Sequence, residues 1–387
     1  MTRAPRKGPG RTAARDDGDE IEADRLAGFP HPRDVTRVHG HEAAEQTLRE
    51  AFDSGRMHHG WLLTGSEGIG KASLAYAFAR YVLAAPGERA TAPAGRLAVD
   101  PQSPAARQIS ARSHPGLLVI RRTADAKTKR LSSVIRVDEV RRLKSFLQLT
   151  ANEGSWRVVI VDPADDLNPS SANALLKSLE EPPTRTLFLL VAAQPGALLP
   201  TILSRFRRLD LSALPPHDLL GAVTQALAQA DEPRQLPEAA DERMRLMALA
   251  QGSVRRLIEL SEAGGLSLYE RLLALVGGLP DLDIAALHTL GEELGPAAAE
   301  QKFETFYGLL LDLLPRLVRA RATGRAEIVE EGAIAQRLLQ PETLASWAEL
   351  WETIVRDKAA TMALNLDRRS LVLQTGFRMR DTAMMRG

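Results

Sequence analysis

A chain of 387 residues is long for one domain and comfortable for two or three, each able to bury its own core. A charged fraction of 26% and a hydrophobic fraction of 44% are those of a globular chain and exclude a disordered or membrane-embedded one, while a formal net charge of +1 supplies no global field to attract nucleic acid. With no cysteine, disulfides, thiolate zinc sites and cysteine nucleophiles are excluded together.

Residues 1–25 carry Arg and Gly first, then Asp and Glu, with no apolar stretch suited to a secretory signal, so a solvated tail on a cytoplasmic protein is expected. Apolar positions at helical spacing follow over 41–52, and the run 61–63 then reads as a strand ending in a glycine-rich turn before a helix over 73–83. Residues 84–115, rich in Pro, Ala, Gly and Arg, read as an extended surface connection with one short helix. Three further strands are predicted at 117–120, 158–161 and 187–191, separated by helices over 137–149 and 170–179; this alternation specifies a parallel α/β sheet. The apolar runs at 158–161 and 187–193 fall far short of the ~18 residues of a spanning helix, and no membrane partner is expected.

Beyond Leu211 the strand signals vanish and the pattern is helical throughout, broken by turns at 231–236, 277–280 and Pro341. No fixed-period repeat is present, which argues against a solenoid. The expected division is a tail (1–25), an α/β domain (26–210) and two helical domains (211–264 and 265–387).

Gly65-Ser66-Glu67-Gly68-Ile69-Gly70-Lys71 lies between the first strand and its helix, the context a phosphate-binding P-loop requires. Glycines let backbone N–H groups turn inward around phosphate oxygens, and the lysine brings positive charge to the β and γ phosphates. The full motif wants Ser or Thr after the lysine to ligate Mg²⁺; here Ala72 stands there, and Ser73, one residue on, is rotated by roughly 100°. The second acidic motif, Arg157-Val158-Val159-Ile160-Val161-Asp162, ends in the carboxylate that attends the metal, but the next residue is Pro163 where a water-activating Glu belongs. Asp165 and Asp166 are expected to approach the next helix and face solvent, with no catalytic role. Phosphate-cradling residues are thus kept while both catalytic partners are missing. Two readings of the loop stay open: ATP or ADP bound without hydrolysis, or a glycine turn with no ligand. His58, His59 and His114 lack the spacing of zinc ligands and read as structural or surface residues.

The segment Ser170-Ser171-Ala172-Asn173-Ala174-Leu175-Leu176-Lys177-Ser178-Leu179-Glu180-Glu181-Pro182-Pro183 closely resembles the one that follows the acidic motif in the bacterial clamp loader family of AAA+ proteins. Leu198-Leu199-Pro200-Thr201-Ile202-Leu203-Ser204-Arg205-Phe206 is similar to that family's Ser-Arg-Cys motif, with Phe in the last place. The resemblance covers roughly 29–260, and further on Asn365-Leu366-Asp367-Arg368-Arg369 is similar to a C-terminal segment of the family's nonmotor subunit. It implies a P-loop AAA+ α/β core, a small helical lid over 211–264 and an all-α oligomerisation collar over 265–387. It also implies that Arg205 is an arginine finger serving a neighbour's γ-phosphate, and that Arg255, in Gly252-Ser253-Val254-Arg255, is the second sensor at the start of a lid helix. The residue reading adds that Arg205, at a strand-to-loop junction and followed by Arg207 and Arg208, offers planar donors suited to phosphate. Where active relatives carry a polar first sensor, this chain has Leu190-Val191-Ala192-Ala193, a third departure from an ATPase site. Relatives also insert a four-cysteine zinc module in the region of 84–114; without cysteine no zinc is expected.

The function so implied is that of a nonmotor subunit of the DNA polymerase III clamp loader. Its partners would be the motor and delta subunits of a heteropentamer and, through the complex, the sliding clamp and primed DNA. A self-sufficient AAA+ ATPase, either a motor subunit or a branch-migration helicase, is the alternative that Ala72 and Pro163 oppose; a nucleotide-sensing regulator outside replication is the third reading.

Overall fold

The computed structural model describes residues 22, 24–89, 95–124, 131–148 and 155–385. The chain divides into two compact units, residues 1–65 with 71–211, and residues 66–70 with 212–387.

The first unit is built on a parallel five-stranded sheet. Helix α1 (Glu42–Asp53) precedes β1 (Gly60–Thr64), which leads through the glycine-rich loop into α2 (Lys71–Leu83). The connection after α2 holds two short helices, α3 (Pro86–Arg89) and α4 (Pro104–Ser110), where one was expected. Then follow β2 (Leu117–Ile120), α5 (Val137–Gln148), β3 (Arg157–Val161), α6 (Pro169–Leu179), β4 (Thr186–Ala192), α7 (Pro200–Leu203) and β5 (Arg207–Asp210), with sheet order β2-β3-β4-β1-β5. This is a parallel α/β sheet with the glycine-rich loop at the carboxyl end of β1. Strands β1 and β4 are buried along their whole length and read as continuous apolar runs because helices cover both faces of a parallel sheet. β5 has no strand signal because Arg207-Arg208-Leu209-Asp210 carries no apolar run; among the described residues it is an edge strand paired to β1, and its charged side chains protect that edge from further pairing.

The family-like segment after β3 proves largely structural. The Asn168 side chain caps α6 by accepting from the Ser171 amide (2.9 Å), and the buried Ser171 hydroxyl donates to the Ile135 carbonyl (2.6 Å), tying α6 to the turn before α5. Leu175 and Leu179 then enter the core beneath the sheet.

Residues 1–21 and 23 of the expected tail lie outside the described residues; at its end the chain is fastened rather than solvated. Glu22 and Asp24 are both held by Arg121, the residue after β2, and His31 lies 3.0 Å from the Asp24 carboxylate. Arg33 forks onto Glu22 through two bonds of 2.8 and 3.0 Å. Burial alone would raise the Asp24 carboxyl, but the His31 hydrogen bond and the charges of His31 and Arg121 outweigh it and hold the group at about 2.

The second unit is helical: α8 (Pro216–Ala228), α9 (Ala240–Ala250), α10 (Val254–Glu262), α11 (Gly265–Gly278), α12 (Ile284–Leu294), α13 (Glu300–Thr323), α14 (Val329–Leu338), α15 (Leu344–Leu364) and α16 (Arg368–Met384). These helices share one apolar core that runs from Leu214 to Met379. Buried polar groups in it are paired: Arg316 binds Glu331 through Nε and Nη2, and Glu331 also accepts from the Tyr269 hydroxyl (2.6 Å). Among the described residues no helix is long and apolar enough to cross a membrane.

Candidate nucleotide and arginine sites

The P-loop leaves the carboxyl end of β1, where ligands of open α/β sheets sit. Gly65, Gly68 and Gly70 all have positive φ (139°, 76° and 106°), which lets successive N–H groups turn to one side. Helix α2 begins at Lys71 itself, two residues earlier than predicted, so Lys71, Ala72 and Ser73 all lie in its first turn. Lys71 is buried and its Nζ donates to the Gly65 carbonyl (2.8 Å), folding the ammonium over the loop.

These features fit the phosphates of a nucleotide, because the loop offers amides, a helix N-terminus and an ammonium together. They do not supply the catalytic part. Ala72 brings no hydroxyl, and Pro163 follows Asp162 without an acceptor. Asp162 is buried at the end of β3, its amide donating to the Ile120 carbonyl (3.0 Å). It is near enough to the P-loop helix that its charge, after burial and Asp24, helps push the Tyr76 hydroxyl well above its ordinary range.

Asp165 and Asp166 do not face solvent, and here the sequence expectation is corrected. Asp165 is half-buried and accepts from the amides of Ala193 (2.6 Å) and Gln194 (3.0 Å), where β4 ends; Asp166 pairs with Arg122 at 2.9 Å. Both carboxylates are used in holding strand ends. The backbone that a polar first sensor would leave is thus fixed by Asp165 from the turn after β3, while the side chains of Leu190, Val191 and Ala192 are buried.

Within the second unit, Gly68 is docked against the start of α10. Its carbonyl accepts from the Val254 amide (3.0 Å), and a Cβ at Gly68 would lie 2.3 Å from the Ser253 hydroxyl and 2.7 Å from the Arg255 Cβ. Arg255 pairs with Glu67 at 2.8 Å. Glu67 occupies a position of the motif that any residue satisfies, which is why its role had no sequence signal.

Arg205 is set at the other end of the sheet. The register pairs Trp61 with Arg207 and Thr64 with Asp210, so Arg205, two residues before Arg207, lies beside the amino end of β1. Between it and the P-loop runs the length of β1, five residues at ~3.3 Å each, or roughly 16 Å. Its Nη1 donates to the Thr201 carbonyl (2.9 Å), and among the described residues it pairs with no carboxylate. Its neighbours are committed: the Arg207 guanidinium lies over the Trp61 ring (4.9 Å), and Arg208 pairs with Asp210. Among the described residues no group of three or more His, Asp or Glu is placed to hold a metal ion.

A family profile described as "DNA polymerase III, delta subunit" matches residues 40–215. The DNA polymerase III subunit delta' of Escherichia coli is 31% identical over 273 residues, 70% of this chain and 74% of that protein. The subunit delta' of Pseudomonas aeruginosa is 40% identical over 147 residues, 38% of this chain and 41% of that protein. The chain spans less than half the length of several curated relatives it matches, the Pseudomonas protein and tau subunits among them. Among solved structures, a gamma subunit-related DNA polymerase III protein of Thermotoga maritima aligns over 89% of this chain and 99% of its own, with a TM-score of 0.40 and 18% identity.

Proposed function

The chain belongs to the delta-prime family of DNA polymerase III subunits, and from that premise we propose that it is a nonmotor clamp loader subunit acting on a neighbour's nucleotide. In this reading it assembles with motor and delta subunits into a heteropentamer that places the sliding clamp on primed DNA. Residues 26–210 are the AAA+ core, 211–264 the lid and 265–387 the collar.

One observation carries the reading: Arg205 and Lys71 stand at opposite ends of the same sheet, so Arg205 cannot reach the phosphates its own chain would hold. A planar donor with no carboxylate partner among the described residues, placed at that edge, suits a γ-phosphate presented by another subunit. The chain's own loop, through Gly65, Gly68, Gly70 and Lys71 with Asp162 and Arg255 nearby in sequence role, holds ATP or ADP without hydrolysing it. The nucleotide supplies a charge that fastens the loop; Ala72 and Pro163 leave no group to ligate Mg²⁺ at the lysine or to take a proton from water.

The test is the turnover of the assembled complex, stimulated by clamp and primed DNA, with wild type or Arg205→Ala. An arginine finger is worth on the order of 1,000-fold at the site it serves. Full stimulated turnover with Arg205→Ala rejects the reading.

A further inference from the structure

The geometry points to Phe206, seated on the bare backbone of Gly60, as the positioning residue that sets the direction of Arg205; this rests on the reading of Arg205 as a trans-acting finger. Gly60 opens a buried strand whose other residues are Trp61, Leu62, Leu63 and Thr64. A glycine in such a strand weakens it and marks either an unusual backbone conformation or a close approach. Gly60 is not among the residues with positive φ, so conformation does not require it. Space does: a Cβ there would lie 2.9 Å from both Cδ1 and Cε1 of the Phe206 ring and 3.3 Å from the Arg205 carbonyl oxygen.

The peptide joining Arg205 to Phe206 is therefore held from two sides. On one, the Arg205 amide donates to the Ile202 carbonyl (3.0 Å) and the Phe206 amide to the Leu203 carbonyl (3.3 Å), continuing the turn of α7. On the other, the ring is buried in the core beneath the sheet and lies flush on Gly60. The half-exposed Arg205 side chain leaves this clamped peptide and donates to the Thr201 carbonyl. Its aim is inherited from the ring beside it. A displacement of ~1 Å at a catalytic group can cost on the order of 100-fold, so a seat of this kind has a kinetic consequence.

The test uses the full chain assembled with its motor subunits, measuring clamp- and DNA-stimulated turnover against ATP concentration. Gly60→Ala is expected to leave assembly intact and KM for ATP within about twofold, while lowering kcat about 10-fold, because the ring and the peptide must shift by up to ~1 Å. Adding Phe206→Leu to Gly60→Ala, which returns the space, is expected to restore at least half of the lost kcat; no recovery overturns the inference, as does full kcat in Gly60→Ala. Should Gly60→Ala fail to assemble, Phe206→Ala empties the seat without crowding and must lower kcat in the same way, and full kcat there overturns it. Arg205→Ala, run in parallel, separates the two ideas. Full turnover with that variant rejects the finger itself; its loss, with Gly60→Ala and Phe206→Ala both unaffected, rejects the seat alone.

Discussion

The two ends of the first unit's sheet both carry groups suited to phosphate, in different states of completeness. At the carboxyl end the loop keeps its glycines, its helix start and Lys71, yet Ala72 and Pro163 replace the residues that handle metal and water, and Asp165 and Asp166 are spent on structure. At the amino end Arg205 has a formed turn beneath it and pairs with no carboxylate among the described residues, while Arg207 and Arg208 are engaged by Trp61 and Asp210. In the proposed reading, binding parts survive loss of chemistry because amides and an ammonium stabilise phosphate without a reaction following. An arginine that serves another chain needs nothing from its own loop beyond a fold that holds both in place.

The largest effect that would break this contrast is at the amino end. Arg205→Ala is expected to lower turnover at the neighbouring site on the order of 1,000-fold, measured on the assembled complex. Next comes the carboxyl end: Lys71→Ala removes a charge-assisted contact worth about 1.5–3 kcal/mol, so calorimetry on the purified chain should show ADP affinity weakened roughly 10- to 100-fold. Its effect on the complex's turnover should be smaller than that of Arg205→Ala, and the reverse order would undo the contrast.

The pairing of Asp24 with Arg121 and His31 gives a pH signature. The folded-state value of Asp24 is depressed to about 2 from a model-peptide value of ~3.9. Its contribution is therefore fully present above ~pH 4 and lost as pH falls toward 2. Asp24→Asn should cost about 2 kcal/mol at neutral pH and flatten the decline in stability between pH 4 and 2, read from urea midpoints. An unchanged slope would mean that the Asp24 pairing does not stabilise this unit. The smallest effect belongs to the exposed pair Glu67–Arg255: Glu67→Gln should change stability by less than about 1 kcal/mol by chemical denaturation.

Several residues were misread or unreadable in sequence for definite reasons. β5 has no apolar alternation because it is an edge strand whose exposed side chains are charged. Asp165 and Asp166 look like solvated residues since their partners, the amides of Ala193 and Gln194 just after β4 and the Arg122 guanidinium just after β2, are distant in sequence. Glu22 and Asp24 look like the end of an acidic tail because Arg121 is nearly 100 residues away, and Gly60 passes for an ordinary strand start until Phe206 is brought onto it.

The chain by itself determined the alternation of strands and helices, the P-loop with its lysine, the missing hydroxyl and base, and the arginine motif, since each rests on residues adjacent in sequence or at a fixed period. Tertiary structure alone decided that Lys71 and Arg205 lie at opposite ends of one parallel sheet, that Asp165 and Asp166 hold strand ends, and that Glu67 takes Arg255. Those facts depend on strand order and register in the sheet and, for Glu67 and Arg255, on how the loop packs against the start of α10; they bring together groups from 28 to 188 residues apart, and no local pattern encodes them.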